Sequence, residues 1–235
     1  MTASDVKAAH VGAAGPVGIL GGTFDPVHHG HLRAALEVLE GCRLAAMRLI
    51  PAGSPPHRAA PVASAELRAQ MLRAAVASEP RLVVDAREIQ RPGPSYTVDT
   101  LTALRAEFGP RPLCLVLGAD AFPGLPSWHR WRELCGLAHV IIIPRPGCEL
   151  AAEGEVGALL AARRSEDVMA LHRASAGVIR VHAVTPLDIS SSAIRALAGA
   201  GGDSRFLVPD AVRDIVMKSG CYRKPAGSTE AQLRA

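Results

Sequence analysis

Short, continuously apolar runs alternate with longer amphipathic stretches along this chain, and that alternation leaves little choice of fold. Val17–Leu20, Met47–Pro51, Leu82–Ile89, Leu113–Leu117, His139–Ile143 and Val178–Val184 read as strands. Between them, Leu32, Ala35, Leu36 and Leu39 fall at i, i+3, i+4 and i+7, and Val98, Leu101, Leu104 and Phe108 keep helical spacing. Ser64 is placed to cap a helix reaching about Ser78, with Leu67, Met71, Ala74 and Ala75 on one face. Further helices are predicted near Trp128–Leu134, over 155–175, from Ser190 to Ala198 and from Pro209 to Lys218, the last stopped by Gly220. Strands that are apolar along their whole length are buried on both faces. The prediction is therefore an α/β fold: a Rossmann-like, doubly wound parallel sheet with helices on both faces, in a single domain.

Composition bounds the class of molecule. A chain of 235 residues that is 49% apolar can bury a full core, and the predicted domain covers residues 17–223. The N-terminal tail, 1–16, and the C-terminal tail, 224–235, lack periodicity. A net charge of +4 fits a protein that handles anions but is too small an excess to argue for nucleic acid. Five cysteines without a C-x-x-C pair argue against a disulfide framework or a structural zinc site, and for a reducing compartment. The aliphatic run Val140–Ile143 falls far short of the roughly 20 residues of a membrane span. Residues 1–16 contain no apolar signal-peptide core. The expectation is a cytoplasmic protein with neither membrane nor nucleic-acid partner; whether it forms a homo-oligomer is left open.

Open parallel sheets bind ligands beyond the carboxyl ends of their strands, so the loops that follow the strands carry the chemistry. After the first strand comes Gly21-Gly22-Thr23-Phe24-Asp25-Pro26-Val27-His28-His29-Gly30-His31. Paired glycines let backbone approach a ligand, and the helix opening at about His28–His31 turns its free N–H groups and positive dipole end toward the same space. His28 and His31 share a face of that first turn. Local physics allows a phosphate site, a glycine turn with surface histidines, or a metal site from His28, His29 and His31. Metal is the weakest of the three, because no carboxylate or cysteine sits at matching spacing.

Four later loops stand out. Ser54-Pro55-Pro56-His57-Arg58 is a stiff turn presenting two cationic or polar side chains. Ser95-Tyr96-Thr97-Val98-Asp99-Thr100-Leu101 reads as a helix start with Thr97 as cap and Asp99 at the positive end of the dipole. Gly118-Ala119-Asp120 ends a strand with a carboxylate able to accept from ribose hydroxyls, and Leu125-Pro126-Ser127-Trp128-His129 follows it. Trp128 and Trp131 also fit buried anchors. Ile189-Ser190-Ser191-Ser192-Ala193-Ile194-Arg195 opens a helix with three serines and sets an arginine one turn on. That is either an anion cradle or a serine cap beside a surface arginine.

The first stretch resembles the G-G-T-F-D-P-[IV]-H-x-G-H signature of the H-x-G-H nucleotidyltransferases. With the other four blocks in order, residues 17–223 resemble the bacterial nicotinate-nucleotide adenylyltransferases. The resemblance implies transfer of the adenylyl group of ATP to nicotinate mononucleotide, giving deamido-NAD and pyrophosphate. It implies catalytic roles for His28, His31 and Arg195. Gly21, Gly22, Thr23, Phe24, Gly30, Gly118, Asp120, Ile189, Ser190, Ser191 and Ser192 would meet ATP. His57, Arg58, Tyr96, Thr97, Trp128 and His129 would meet the mononucleotide, with Trp128 on the pyridine ring and Trp131 in packing. Arg58 stands where the family usually has Lys, and His129 where Tyr is frequent. Mg²⁺ is expected to arrive with ATP, held by phosphate and water, with no metal site of the protein's own. Two alternatives remain: the same reaction on nicotinamide mononucleotide, and a non-catalytic nucleotide sensor on the same fold.

Overall fold

A computed structural model describes residues 15–54, 60–144 and 153–223. Six parallel strands form one sheet in the order β3-β2-β1-β4-β5-β6. They are β1 (Val17–Gly22), β2 (Ala46–Pro51), β3 (Leu82–Val84), β4 (Leu113–Gly118), β5 (His139–Ile143) and β6 (Ile179–Val181). This is the doubly wound order, and its direction reverses between β1 and β4. Register is set by burial: Ile19 pairs with Arg48 on one side and Leu115 on the other, inside runs that are apolar on both faces.

The helices are α1 (His29–Gly41), α2 (Ala65–Ala75), α3 (Arg87–Gln90), α4 (Thr97–Phe108), α5 (Leu134–Leu137), α6 (Gly154–Arg163), α7 (Ala170–Arg173), α8 (Ser191–Gly199) and α9 (Asp210–Ser219). Single 3-10 turns span Leu125–Ser127 and Trp131–Glu133. One core lies under α1, α2 and α9, where Leu39, Met47, Leu72 and Val212 are buried together. The other lies under α4 and α5, where Leu101, Leu115, Trp131 and Ile142 meet. The fold class is therefore as predicted. None of the helices among the described residues is long and apolar enough to cross a membrane. Both predicted tails lie outside the described residues, apart from Gly15 and Pro16.

Four local expectations are corrected. The strand expected over Leu82–Ile89 leaves the sheet after Val84, because Asp85 accepts from the Arg87 amide at 3.1 Å and turns the chain into α3. The helix expected over 155–175 breaks between α6 and α7, where the Ser165 amide donates to the Ile179 carbonyl at 2.9 Å. The helix near Trp128–Leu134 is two 3-10 turns leading into α5. The buried face of α2 is centred on Arg68, Ala69, Met71 and Leu72, so of the predicted Leu67, Met71, Ala74 and Ala75 only Met71 is fully buried, while Leu67 and Ala75 are partly buried against the same core.

Candidate active site

The signature loop joins β1 to α1 at the point where the strand order reverses. His28 is the residue before the first turn of α1, and its backbone amide donates to His31 Nδ1 at 3.4 Å. The two imidazoles lie 3.7 Å apart between centroids and tilted by 30°, and the edge of Phe24 meets His31 at 5.1 Å. Gly30 gives the ring room: a Cβ there would stand 3.0 Å from His28 Nδ1, so that the imidazole would have to shift. The Phe24 side chain is committed to the core, so anything it offers a nucleotide comes from its main chain.

The N-terminus of α8 is docked onto the same loop. Ser191 Oγ donates to the Pro26 carbonyl at 2.9 Å, and Arg195 Nη1 donates to the Asp25 carbonyl at 2.7 Å. Ser190 Oγ caps the helix by accepting from the Ala193 amide at 3.1 Å, and Ser192 Oγ accepts from Arg195 Nη2 at 3.2 Å. The serine hydroxyls thus hold the scaffold. What the turn can offer an anion is chiefly its first-turn amides, which have no intrahelical acceptor. Ile189 packs partly against the core beneath them. Two helix N-termini, two histidines and one arginine therefore converge on a single loop.

Beside that loop a cleft of about 390 Å³ opens at the carboxyl ends of β1, β2 and β4. Its lining includes Gly21, Gly22, Thr23 and Asp120 together with Tyr96, Thr97, Trp128 and His129. Gly118 closes β4, and Asp120 curls back over it, so that a Cβ on residue 118 would strike the carboxylate. The Tyr96 and His129 rings lie 4.4 Å apart. Trp128 is half-buried on the cleft wall while Trp131 is buried in the core. Thr97 is the first residue of α4 rather than its cap; Tyr96 holds the cap position without a side-chain bond. His57 and Arg58 lie outside the described residues.

Two residues that the sequence reading passed over shape the site. Arg68 is 1% exposed on the apolar face of α2. It donates to the Thr23 carbonyl at 2.7 Å, the Ala52 carbonyl at 2.7 Å and the Ala63 carbonyl at 3.3 Å, tying the loops after β1 and β2 together. Burial pulls its pKa down from the ordinary value, and the nearby Asp25 charge opposes that. An arginine inside an apolar stripe was the available signal. Glu88 lines the cleft floor and accepts from Thr100 Oγ1 at 2.7 Å. Burial pushes its carboxyl above the ordinary range. Gly53 makes room for it, since a Cβ there would collide with the Glu88 carbonyl. Among the described residues no group of three His, Cys, Asp or Glu side chains could hold a metal ion.

Residues 19–197 match the cytidylyltransferase-like family. The chain is 50% identical over 209 residues to the probable nicotinate-nucleotide adenylyltransferase of Halorhodospira halophila, covering 89% of this chain and 96% of that protein. It belongs to the nicotinate-nucleotide adenylyltransferase family. A second member, from Aeromonas hydrophila, is 46% identical over 208 residues, with 88% and 97% coverage. The fold is also that of Plasmodium falciparum nicotinic acid mononucleotide adenylyltransferase, solved with NaAD, at a TM-score of 0.68 and 15% identity over 88% of this chain and 97% of that one. The family's five sequence blocks thus fall at the mouth of one sheet, apart from the prolines, His57 and Arg58 of the second block.

Proposed function

We propose that this member of the family transfers the adenylyl group of ATP to nicotinate mononucleotide, releasing pyrophosphate and forming deamido-NAD. The observation that carries the reading is the adjacency of two built regions. A cationic and N–H-rich loop, around His28, His31 and Arg195, adjoins a cleft walled by Tyr96, Thr97 and Trp128. The phosphate oxygen of the mononucleotide attacks the α-phosphorus, a new P–O bond forms, and the bond to the bridging oxygen breaks as pyrophosphate leaves. The attacking oxygen is already anionic, so no protein nucleophile or strong base is required. Catalysis is positioning plus charge stabilisation. His28 and His31 face the α-phosphate and bridging oxygen; Arg195 and the first amides of α8 hold the outer phosphates. Mg²⁺ would arrive with ATP, coordinated by its phosphates and by water. That ion lowers the charge on the phosphates.

The acid is favoured over the amide because the first turn of α4 presents N–H donors to the cleft, where a carboxylate accepts and a carboxamide NH₂ meets donors head-on. A buried donor left unpaired costs about 1–3 kcal/mol, and sites of this kind discriminate strongly. Free cysteines at positions 42, 114, 135 and 221 support the cytoplasm as the setting. Pyrophosphate release with ATP and each mononucleotide tests the reading. The expected result is turnover with kcat/KM at least about a hundredfold higher for the nicotinate form. A ratio near one overturns the acid-specific reading, and binding of ATP without turnover of either substrate makes the protein a sensor.

A further inference from the structure

Asp25 and Tyr222 come from opposite ends of the described chain, and neither lines the cleft. They meet directly: Tyr222 Oη donates to Asp25 Oδ1 at 2.7 Å, with both residues buried. The same carboxylate accepts from the Val62 amide at 2.8 Å and the Ala63 amide at 3.1 Å. Arg195 Nη1 donates to the main-chain carbonyl of Asp25 at 2.7 Å, yet stands 3.8 Å from the carboxylate oxygen Oδ2. The guanidinium is near enough to be attracted by the carboxylate but is not hydrogen-bonded to it. Three donors already occupy those oxygens.

We propose that Asp25 and Tyr222 are positioning residues for Arg195. Asp25 tethers the guanidinium through its carbonyl and its charge. The Tyr222 hydroxyl, with the two amides, keeps the carboxylate satisfied, so that it does not take Arg195 as a full ion pair and withdraw it from the substrate's phosphates. The C-terminal end of the domain thereby adjusts how strongly the site holds ATP. This inference rests on the reading of Arg195 as a ligand of the triphosphate.

Removing the hydroxyl leaves Asp25 Oδ1 with the Ala63 amide alone, so the carboxylate is less neutralised and draws harder on Arg195, which stands 3.8 Å from its other oxygen, Oδ2. Tyr222→Phe should raise the KM for ATP about fivefold to tenfold, a partial loss of one hydrogen bond to a charged group, and leave the KM for nicotinate mononucleotide within about twofold. KM does not depend on the fraction of enzyme folded, so partial destabilisation cannot mimic this split. In an Asp25→Asn background there is no charge to satisfy, and adding Tyr222→Phe should then change the ATP KM by less than about twofold. Tyr222→Phe that moves neither KM, or moves both equally, overturns the proposal, as does full additivity in the double variant. Arg195→Ala separates the two levels. If it raises the ATP KM selectively while Tyr222→Phe does not, only the positioning role fails. If it affects both substrates alike, the assignment of Arg195 to ATP fails first.

Discussion

His31 is oriented by the loop around it. Its Nδ1 faces the His28 amide at 3.4 Å, an arrangement that suits a ring donating through Nε2. The Phe24 edge and the stacked His28 ring fix its plane. A donor oriented in advance costs no reorganisation when negative charge grows at the α-phosphorus. His31→Ala should therefore lower kcat about 100- to 1,000-fold, the usual loss for one such donor, with little change in melting temperature because the residue is only half-buried. Steady-state kinetics beside a thermal melt decides it, and a near-wild-type kcat would remove His31 from the transition state. At this scale spacing alone left alternatives open, and it was the resemblance carried by contiguous motifs that implied roles for His28, His31, Thr97, Trp128 and Arg195. The fold gathers those five residues at the mouth of the sheet. The sequence was silent on Arg68 and on the Asp25–Tyr222 contact, whose partners are separated by 45 and 197 residues. Pairings that long are set by the packing of α2 and α9 onto the sheet, which no local pattern records.

Elements are positioned by a few buried polar clamps as much as by apolar faces. Arg68 lets α2 hold the loops after β1 and β2 at once, through carbonyls of Thr23 and Ala52. Arg68→Ala leaves those buried acceptors unpaired, removes a cation from beside Asp25 and opens a void. It should destabilise the domain by about 3–5 kcal/mol, read as a shift of the urea midpoint. Arg68→Lys keeps the charge but loses the planar fork and should fall between the two. An alanine variant within about 0.5 kcal/mol of wild type would show the clamp to be dispensable. The existence and type of the long elements were legible from periodicity: α1, α4, β4 and β5 lie within two residues of where their spacing puts them. The failures share one cause. Leu82–Ile89 and residues 155–175 carry patterns that suit two structures, and single polar pairings, one to a side chain and one between backbones, decide between them. Asp85 turns the first, and pairing of the Ser165 amide with Ile179 breaks the second.

Across the whole molecule, the two cores and the edge of the sheet must stay intact for the loops at its mouth to keep their spacing, and one buried histidine makes that depend on pH. His139 opens β5, fully buried, with Nδ1 accepting from the Val178 amide at 3.0 Å and Nε2 against the Ala174 carbonyl at 2.8 Å. Charging the ring would set a proton against the Val178 N–H. Burial pulls its pKa below the ordinary value, with Arg105 and His172 adding to the effect and the Ala174 carbonyl opposing it. The sign follows from proton binding. Below about pH 6.5 the unfolded chain takes up a proton that the native ring refuses, so the unfolded state gains. Stability is therefore full above that pH and declines as pH falls toward the depressed native value, by up to about 1.4 kcal/mol per pH unit for this group. His182, also lowered by burial, adds in the same direction. His139→Gln removes the titration while retaining a donor and an acceptor. The variant should be less stable than wild type at pH 8, where the imidazole fits better, but its stability should fall less steeply between pH 6.5 and 5, by up to one proton's worth of slope. Urea unfolding at pH 8, 6.5, 5.5 and 5 on both proteins gives the two slopes. Equal slopes would mean that the acid sensitivity arises elsewhere and that β5 and the Val178 turn tolerate a charged ring.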